Sequence, residues 1–478
     1  MNNKVVQSSS AAIGLLALAM STRTLAAQTA APGAPQQPDA GAQVRTGVSS
    51  EFDEDARLAN LLAEHQYARV ESELSQLPPQ QAQLYRGILA NRNNNVKKSL
   101  ELLEPLVNPV AESGKVIPEK LLLKTLGEDY LRESDMAKSA AQYEALIQRL
   151  GDKLSPDELD EIELPAKLLP LAKNNPQMIV DPCDVFEMRV DRNPLGLIDV
   201  PVSVDGRPHS WLLDPTSQLS LIARSVAKDA GLKISTESAT IHTLRGKPMQ
   251  VHATVIPKFT IAGQLTLENM TAFVFEDADY EFPLTGYHVQ GVLGYAAMAA
   301  LSNMTITDNN TVFVRPEKQI GAVNPNDHVT DGARFYLDGE QMIIALGAPT
   351  DASDRAFLRA VGDTDARMYA VDMGGQQTYL TTRYYDEHTP EFQGQKTHQF
   401  SLFGAPQVPP VPAYNAETIS LKVGGIPVDV HFINVLTQPL GSSVRDDVYG
   451  LLGIDALDQL REYSFDFQTM RFSIRPER

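Results

Sequence analysis

From Glu51 to Lys173, apolar residues return every three or four positions. Leu58, Leu61 and Leu62, then Val70, Leu74 and Leu77, keep that spacing until Pro78-Pro79 interrupts it. A period near 3.6 gathers such residues on one helical face, so the pattern predicts helices across residues 51–175. Gly87, Ser99 and Leu103 recur as Gly127, Ser139 and Tyr143, each displaced by 40 residues. Small residues at those places let neighbouring helices approach closely, which predicts repeated helical hairpins, with a plain helical bundle as the alternative. After Pro182 the period drops to two. Val200, Val202 and Val204 alternate up to Asp205-Gly206, a hairpin turn signal, and 255–265, 271–275 and 311–314 read the same way. This half is predicted to be mostly β. Between the halves, Asn174 to Asp184 collects turn and breaker residues, so a boundary is expected there, with proteolysis releasing a fragment that begins near residue 180.

The β half contains a two-fold repeat of about 158 residues, judged from Asp214 and Asp372. Trp211-Leu212-Leu213-Asp214-Pro215-Thr216-Ser217 stands against Tyr369-Ala370-Val371-Asp372-Met373-Gly374-Gly375. In both copies an apolar strand ends in an aspartate, a tight turn follows, and an apolar pair comes next (Leu221-Ile222, Tyr379-Leu380). Further on, Gly291-Val292-Leu293-Gly294 matches Gly450-Leu451-Leu452-Gly453. Each is followed by a short helix-like run and another strand, 304–307 in one copy and 464–467 in the other.

These residues resemble the retropepsin-like and pepsin-like aspartic peptidases, whose two lobes each carry apolar-apolar-Asp-Thr/Ser-Gly and a later apolar-apolar-Gly segment beneath it. The resemblance covers roughly 184–478. It implies a first lobe over 184–318 and a second over 326–478, with a substrate cleft between them. Asp214 and Asp372 would be the catalytic dyad, Gly374 the motif glycine of the second lobe, and Thr216, Gly294 and Gly453 support for the two loops. His242, Arg245 and Gly246, within a run read as two strands, would belong to a flap over the cleft; an ordinary surface hairpin is the other reading. Two carboxylates held close cannot both ionise, so they share one proton. The charged one takes a proton from water while the protonated one polarises the scissile carbonyl. The copies also depart from the pattern. Pro215 and Met373 replace the hydroxyl residues that link the loops, Pro215 lacks an N–H, and Thr216 stands where the first glycine would be. The region 51–175 resembles tetratricopeptide-like hairpins without matching a consensus; its period exceeds the usual ~34 residues, and it is expected to dock or scaffold.

Composition narrows the classes. The chain has 478 residues, 41 Lys and Arg, 60 Asp and Glu, and a formal charge of −19. That balance argues against a phosphate-backbone ligand, which needs clustered cations. No apolar run approaches the roughly 18 residues of a membrane span. Cys183 is the single cysteine, so no internal disulfide or cysteine-rich zinc site forms. Residues 1–27 read as an export signal: Lys4, an apolar core at 11–20, and small residues at Ala26-Ala27. The protein is therefore expected to be exported, periplasmic or secreted, with 28–50 a disordered linker rich in Ala, Pro and Gln. No metal or other cofactor is expected: His388 and His398 flank Glu391 without a ligand spacing, and no phosphate loop or nucleophile elbow occurs. Asp446-Asp447 reads as a solvated turn and Trp211 as core. Both lobes lie in one chain, so a monomer suffices. The functional readings are an exported aspartic endopeptidase acting on peptide or protein, a pseudo-peptidase that binds peptide without turnover, and a scaffold whose helical region binds a protein partner.

Overall fold

The computed structural model describes residues 49–215, 217–242, 248–282, 285–316, 332–339, 341–347, 366–402, 408–440 and 447–475. The export signal, nearly all of the 28–50 linker, and Thr216, Arg245 and Gly246 lie outside the described residues. The fold class is a helical-hairpin region followed by a mostly β, two-lobed half.

The helical region comprises α1 (Ser49–Ala63), α2 (Tyr67–Glu73), α3 (Pro79–Arg92), α4 (Val96–Leu103), α5 (Val107–Ser113), α6 (Val116–Arg132), α7 (Met136–Leu150) and α8 (Pro156–Ala172). The 40-residue recurrence is a recurrence of contacts. Gly87 leaves room for the Leu103 side chain and Gly127 for the Tyr143 ring. Ser99 Oγ donates to Gly87 O at 2.9 Å, and Ser139 Oγ to Gly127 O at 2.7 Å. Asn95 and Asp135 cap the second helix of each pair through the amides of Lys98 and Lys138. The turn before each cap is left-handed, at Asn94 (φ 55) and Ser134 (φ 58), and closes with 2.8 Å bonds from Asn95 N to Ala90 O and Asp135 N to Tyr130 O. The same turn joins α1 to α2 at His65 (φ 56), with Gln66 N donating to Leu61 O at 2.8 Å. The hairpin is therefore built three times, and the sequence displayed two of them.

Each lobe winds its sheet in the same order. In the first, Arg207–Leu213 runs parallel to Gly291–Leu293, which pairs antiparallel with Leu221–Ala223, which in turn lies parallel to Leu265–Phe275. In the second, Ala366–Val371, Gly450–Leu452, Tyr379–Leu380 and Ile426–Leu436 repeat that arrangement strand for strand. The lobes join through a shared six-strand stretch. At its centre Asn303–Thr307 pairs with Glu462–Asp466, Met304 facing Phe465. The two copies of the repeat thus touch each other directly. Trp211 is fully buried beneath Gly291 and tilts against Phe259 at 4.8 Å. Burying a large apolar side chain contributes about 1.5–3 kcal/mol, and Leu212, Leu213, Val292 and Leu293 do so directly behind the first aspartate.

The helical region is not a tethered module. Leu123, Leu146, Leu168 and Ala172 share one buried cluster with Ile241, Met249 and Val251 of the first lobe. Tyr85 and Ile88 share another with Tyr336 and Ala345 of the second, where the Tyr67 and Tyr336 rings lie 4.6 Å apart. Buried charges cross the same boundary. Arg92 Nη2 meets Asp338 Oδ1 at 2.9 Å while its Nη1 meets Glu128 Oε2 at 2.8 Å. His65 reaches Tyr67 Oη at 2.8 Å and Asp447 Oδ2 at 3.1 Å. Asp447 is thus tied to the helical region rather than left as a solvated turn. Breaker residues mark where the chain changes period, but the faces on either side bury against each other. Limited proteolysis is accordingly expected to release no stable fragment from residue 180, and heat should unfold both parts in one transition. A protected β fragment that refolds alone would contradict the shared core. Among the described residues, no helix is long and apolar enough to cross a membrane.

Candidate active site

Asp214 and Asp372 each follow the last residue of an apolar strand, and each backbone amide is anchored to the Gly-apolar-apolar-Gly strand alongside. Asp214 N donates to Leu293 O at 3.3 Å and Asp372 N to Leu452 O at 3.0 Å. The loop beyond each aspartate is then fastened twice more. Tyr295 N donates to Ser217 O at 2.6 Å, matched by Ile454 N to Gly375 O at 3.0 Å. Gly294 N donates to Ser220 Oγ at 3.2 Å, matched by Gly453 N to Thr378 Oγ1 at 2.8 Å. Gly294 and Gly453 are required by space. A Cβ on the first would stand 2.6 Å from the carbonyl carbon of Leu219, and on the second 2.7 Å from Gln376 O. Ser220 and Thr378 keep the register of the aspartates, but no sequence motif marks them. The family pattern draws attention to the residue after each aspartate, not to a hydroxyl six positions on.

The two loops meet. Gly374 of the second lobe covers the Asp214 carboxylate so closely that a Cβ there would lie 2.5 Å from Asp214 Oδ2 and 2.8 Å from Cγ. Gly375 covers Asp372 in the same way. The expected dyad is therefore brought together, with the Gly374-Gly375 turn against both carboxylates. Asp214 is fully buried, whereas Asp372 is partly exposed. Burial, and then the charge of Asp214, push the Asp372 carboxyl up to about 7, although the N–H groups of Gly374 and Gly375 favour its anion. A carboxyl that keeps a proton near neutrality beside a second carboxyl is what a shared-proton pair requires.

Pro215 and Met373 are both buried. Neither has a hydroxyl, so the loops are held by other means. Gln376 crosses to the first lobe and lies against Gly196, whose φ of +77 and lack of a side chain admit it. Gln218 crosses the other way to Gly339, where a methyl would stand 3.9 Å from its Nε2. Of the residues expected in a flap, His242 has a described backbone, paired with Pro248 at the connected end of the hairpin formed by Ala239–His242 and Pro248–Ile261. The root of that hairpin is fixed by the helical region, as Lys167 Nζ of α8 donates to Thr240 O at 3.3 Å. The histidines that flank Glu391 are spent separately: His388 stacks on Tyr384 at 4.0 Å and His398 Nε2 meets Asn434 Oδ1 at 2.9 Å. Among the described residues no cluster of His, Cys, Asp and Glu could hold a metal ion.

Comparison with known proteins finds a family similarity confined to the first lobe. Residues 200–297, from the strand Ile198–Val204 to the helix after Gly294, match the aspartyl protease family model. No curated protein sequence matches the chain. Among solved structures, basic 7S globulin from soybean is 11% identical with a TM-score of 0.37, the match covering 62% of this chain and 97% of that one. A retropepsin-like aspartic protease from Rickettsia conorii is 17% identical with a TM-score of 0.21, over 27% of this chain and 100% of that one. The first lobe is thus similar to the aspartyl protease family, and the second lobe repeats its aspartate loop and strand order.

Proposed function

We propose that the chain is an exported aspartic-type endopeptidase that uses Asp214 and Asp372 to hydrolyse peptide bonds in a peptide or protein lying between the lobes. The observation that carries this reading is the contact of Gly374 with the Asp214 carboxylate, together with the raised Asp372 carboxyl. The ionised member of the pair takes a proton from water. The protonated member donates to the carbonyl oxygen, so the tetrahedral adduct forms without a free hydroxide or a full oxyanion. The carboxyl now protonated gives its proton to the leaving nitrogen while the other takes one back from a hydroxyl of the adduct, so the C–N bond breaks, the new carboxyl group forms and the single shared proton is restored. No cofactor is needed for these steps.

The test is incubation of the purified protein with a mixed peptide library from pH 3 to pH 8, with cleavage read by mass spectrometry. Cleavage is expected in acid and should persist toward neutrality. It should fall as pH rises through about 7, where Asp372 loses the proton that the pair must hold. Absence of cleavage at every pH would remove the peptidase reading. Pro215 and Met373 favour the second reading, a pseudo-peptidase that binds peptide without turnover, since neither supplies the loop-linking hydroxyl. That reading predicts saturable peptide binding and no products. Export rests on residues 1–27, and amino-terminal sequencing of the secreted or periplasmic form should then begin near Gln28.

A further inference from the structure

Gln218 and Gln376 occupy equivalent places, four residues past their aspartates; Gln376 packs directly on Gly196, and Gln218 lies beside Gly339 of the opposite lobe. What surrounds the two meeting points is different. On the Asp372 side the lobes brace each other. Arg192 Nη1 donates to Gly196 O at 3.2 Å, and its Nη2 pairs at 2.5 Å with Asp458, just beyond the helix that follows Gly453. On the Asp214 side, Ala299 stands at the same step of the repeat as Asp458, so no carboxylate is available there.

The helical region fills that place. Gly339 directly follows Asp338, which is held by Arg92 at 2.9 Å and by Tyr67 Oη at 3.1 Å. A methyl on Gly339 would stand 3.8 Å from Glu128 Oε1 of α6 as well as 3.9 Å from Gln218 Nε2. Glu128 is 1% exposed and Arg92 4% exposed, so their pairing is not loosened by solvent. Glu128, Pro215, Gln218, Tyr295 and Gly339 line a single cavity where α6 and both lobes converge.

We propose that Arg92 and Glu128 are positioning residues for the Asp214 loop. Through Asp338 and the Gly339 turn they hold Gln218 in place, as Arg192 and Asp458 hold the Gln376 side. The helical region is then a structural part of the site rather than an appendage. Its effect on hydrolysis rests on the peptidase reading, whereas its hold on the loop does not, so the test reads both.

Amide hydrogen exchange followed by mass spectrometry reports the two loops separately, over 217–222 and 375–380, alongside peptide hydrolysis. Glu128→Gln keeps the shape and removes the charge. It is expected to speed exchange across 217–222 by about tenfold and leave 375–380 unchanged. It should also lower kcat with KM within about twofold, because a loop misplaced by ~1 Å loses transition-state alignment more than substrate affinity. Gln218→Ala touches no buried charge and should give the same selective loosening, even if the Glu128 variant folds poorly. Gln376→Ala, the mirror control, should loosen 375–380 alone. Equal acceleration in both loops, or none in 217–222 for either Asp214-side variant, would overturn the proposal. A wild-type protein without peptidase activity but with the selective exchange pattern would remove the peptidase reading and leave the brace standing.

Discussion

Asp214→Asn and Asp372→Asn are each expected to abolish peptide hydrolysis, by a factor on the order of 10⁴ or more, because neither member of a shared-proton pair works alone. The same variants are expected to be more stable than the wild type above neutral pH. The Asp372 carboxyl is raised from its ordinary value of 3.8 to about 7. A raised carboxyl contributes its full stability below the unfolded value, and that contribution drains away as pH climbs through the folded value. Wild-type stability should therefore decline between about pH 4 and pH 7 as the pair is forced toward double ionisation. Replacing one carboxylate with a neutral amide removes the like charge. Each pKa unit corresponds to about 1.4 kcal/mol, so even one recovered unit should raise the Tm of this large single transition by about 1–2 °C at pH 8 and by little at pH 4. Turnover that survives Asp214→Asn would place the chemistry elsewhere. An Asn variant no more stable than wild type at pH 8 would show that the carboxylates do not repel.

The second large effect is expected from Gly374→Ala. The glycine does not have a left-handed backbone, so its need is one of space. The added methyl would lie 2.5 Å from Asp214 Oδ2, and carboxylate, turn or both must move. A displacement of ~1 Å at reacting groups costs about a hundredfold in rate, and overpacking a buried site costs about 1–3 kcal/mol. Moving the loops apart also weakens the Coulomb contribution that raises Asp372. The variant's alkaline limb should therefore shift to lower pH as its maximal rate falls. A pH–rate profile of kcat/KM reads both. A full rate with an unmoved limb would mean that the two loops do not meet as described.

Alternation and turn signals made the lobes legible, because a period of two and a repeated Asp-turn-apolar-pair mark which faces are buried and where the chain reverses. The family resemblance that the same repeat carries implied that Asp214 and Asp372 face each other and that Gly374 belongs to the second loop. What a face is buried against was not legible. The helical stripe through Leu61 and Leu62 gives no sign that Tyr67 packs on Tyr336, or that Arg92 pairs with Asp338 far along the chain. The hairpin turn at His65 escaped notice because it repeats a left-handed conformation and a hydrogen-bond pattern, not residue types: the position holds His, Asn and Ser in its three copies. Asp447 read as a solvated turn since its partner, His65, lies in the helical region. The absent hydroxyls at Pro215 and Met373 were plain in the sequence, whereas the crossing of Gln218 and Gln376 depends on glycines in the opposite lobe.

Whether Asp214 and Asp372 share one proton is decided most directly by carbon-13 NMR of their carboxyl groups, titrated from pH 3 to pH 9 and assigned through the two Asn variants. The pair should titrate in two separated steps, the upper near 7, and the Asp372 signal should move to lower pH in Asp214→Asn. Two independent titrations near pH 4, unchanged when the partner is replaced, would contradict the account.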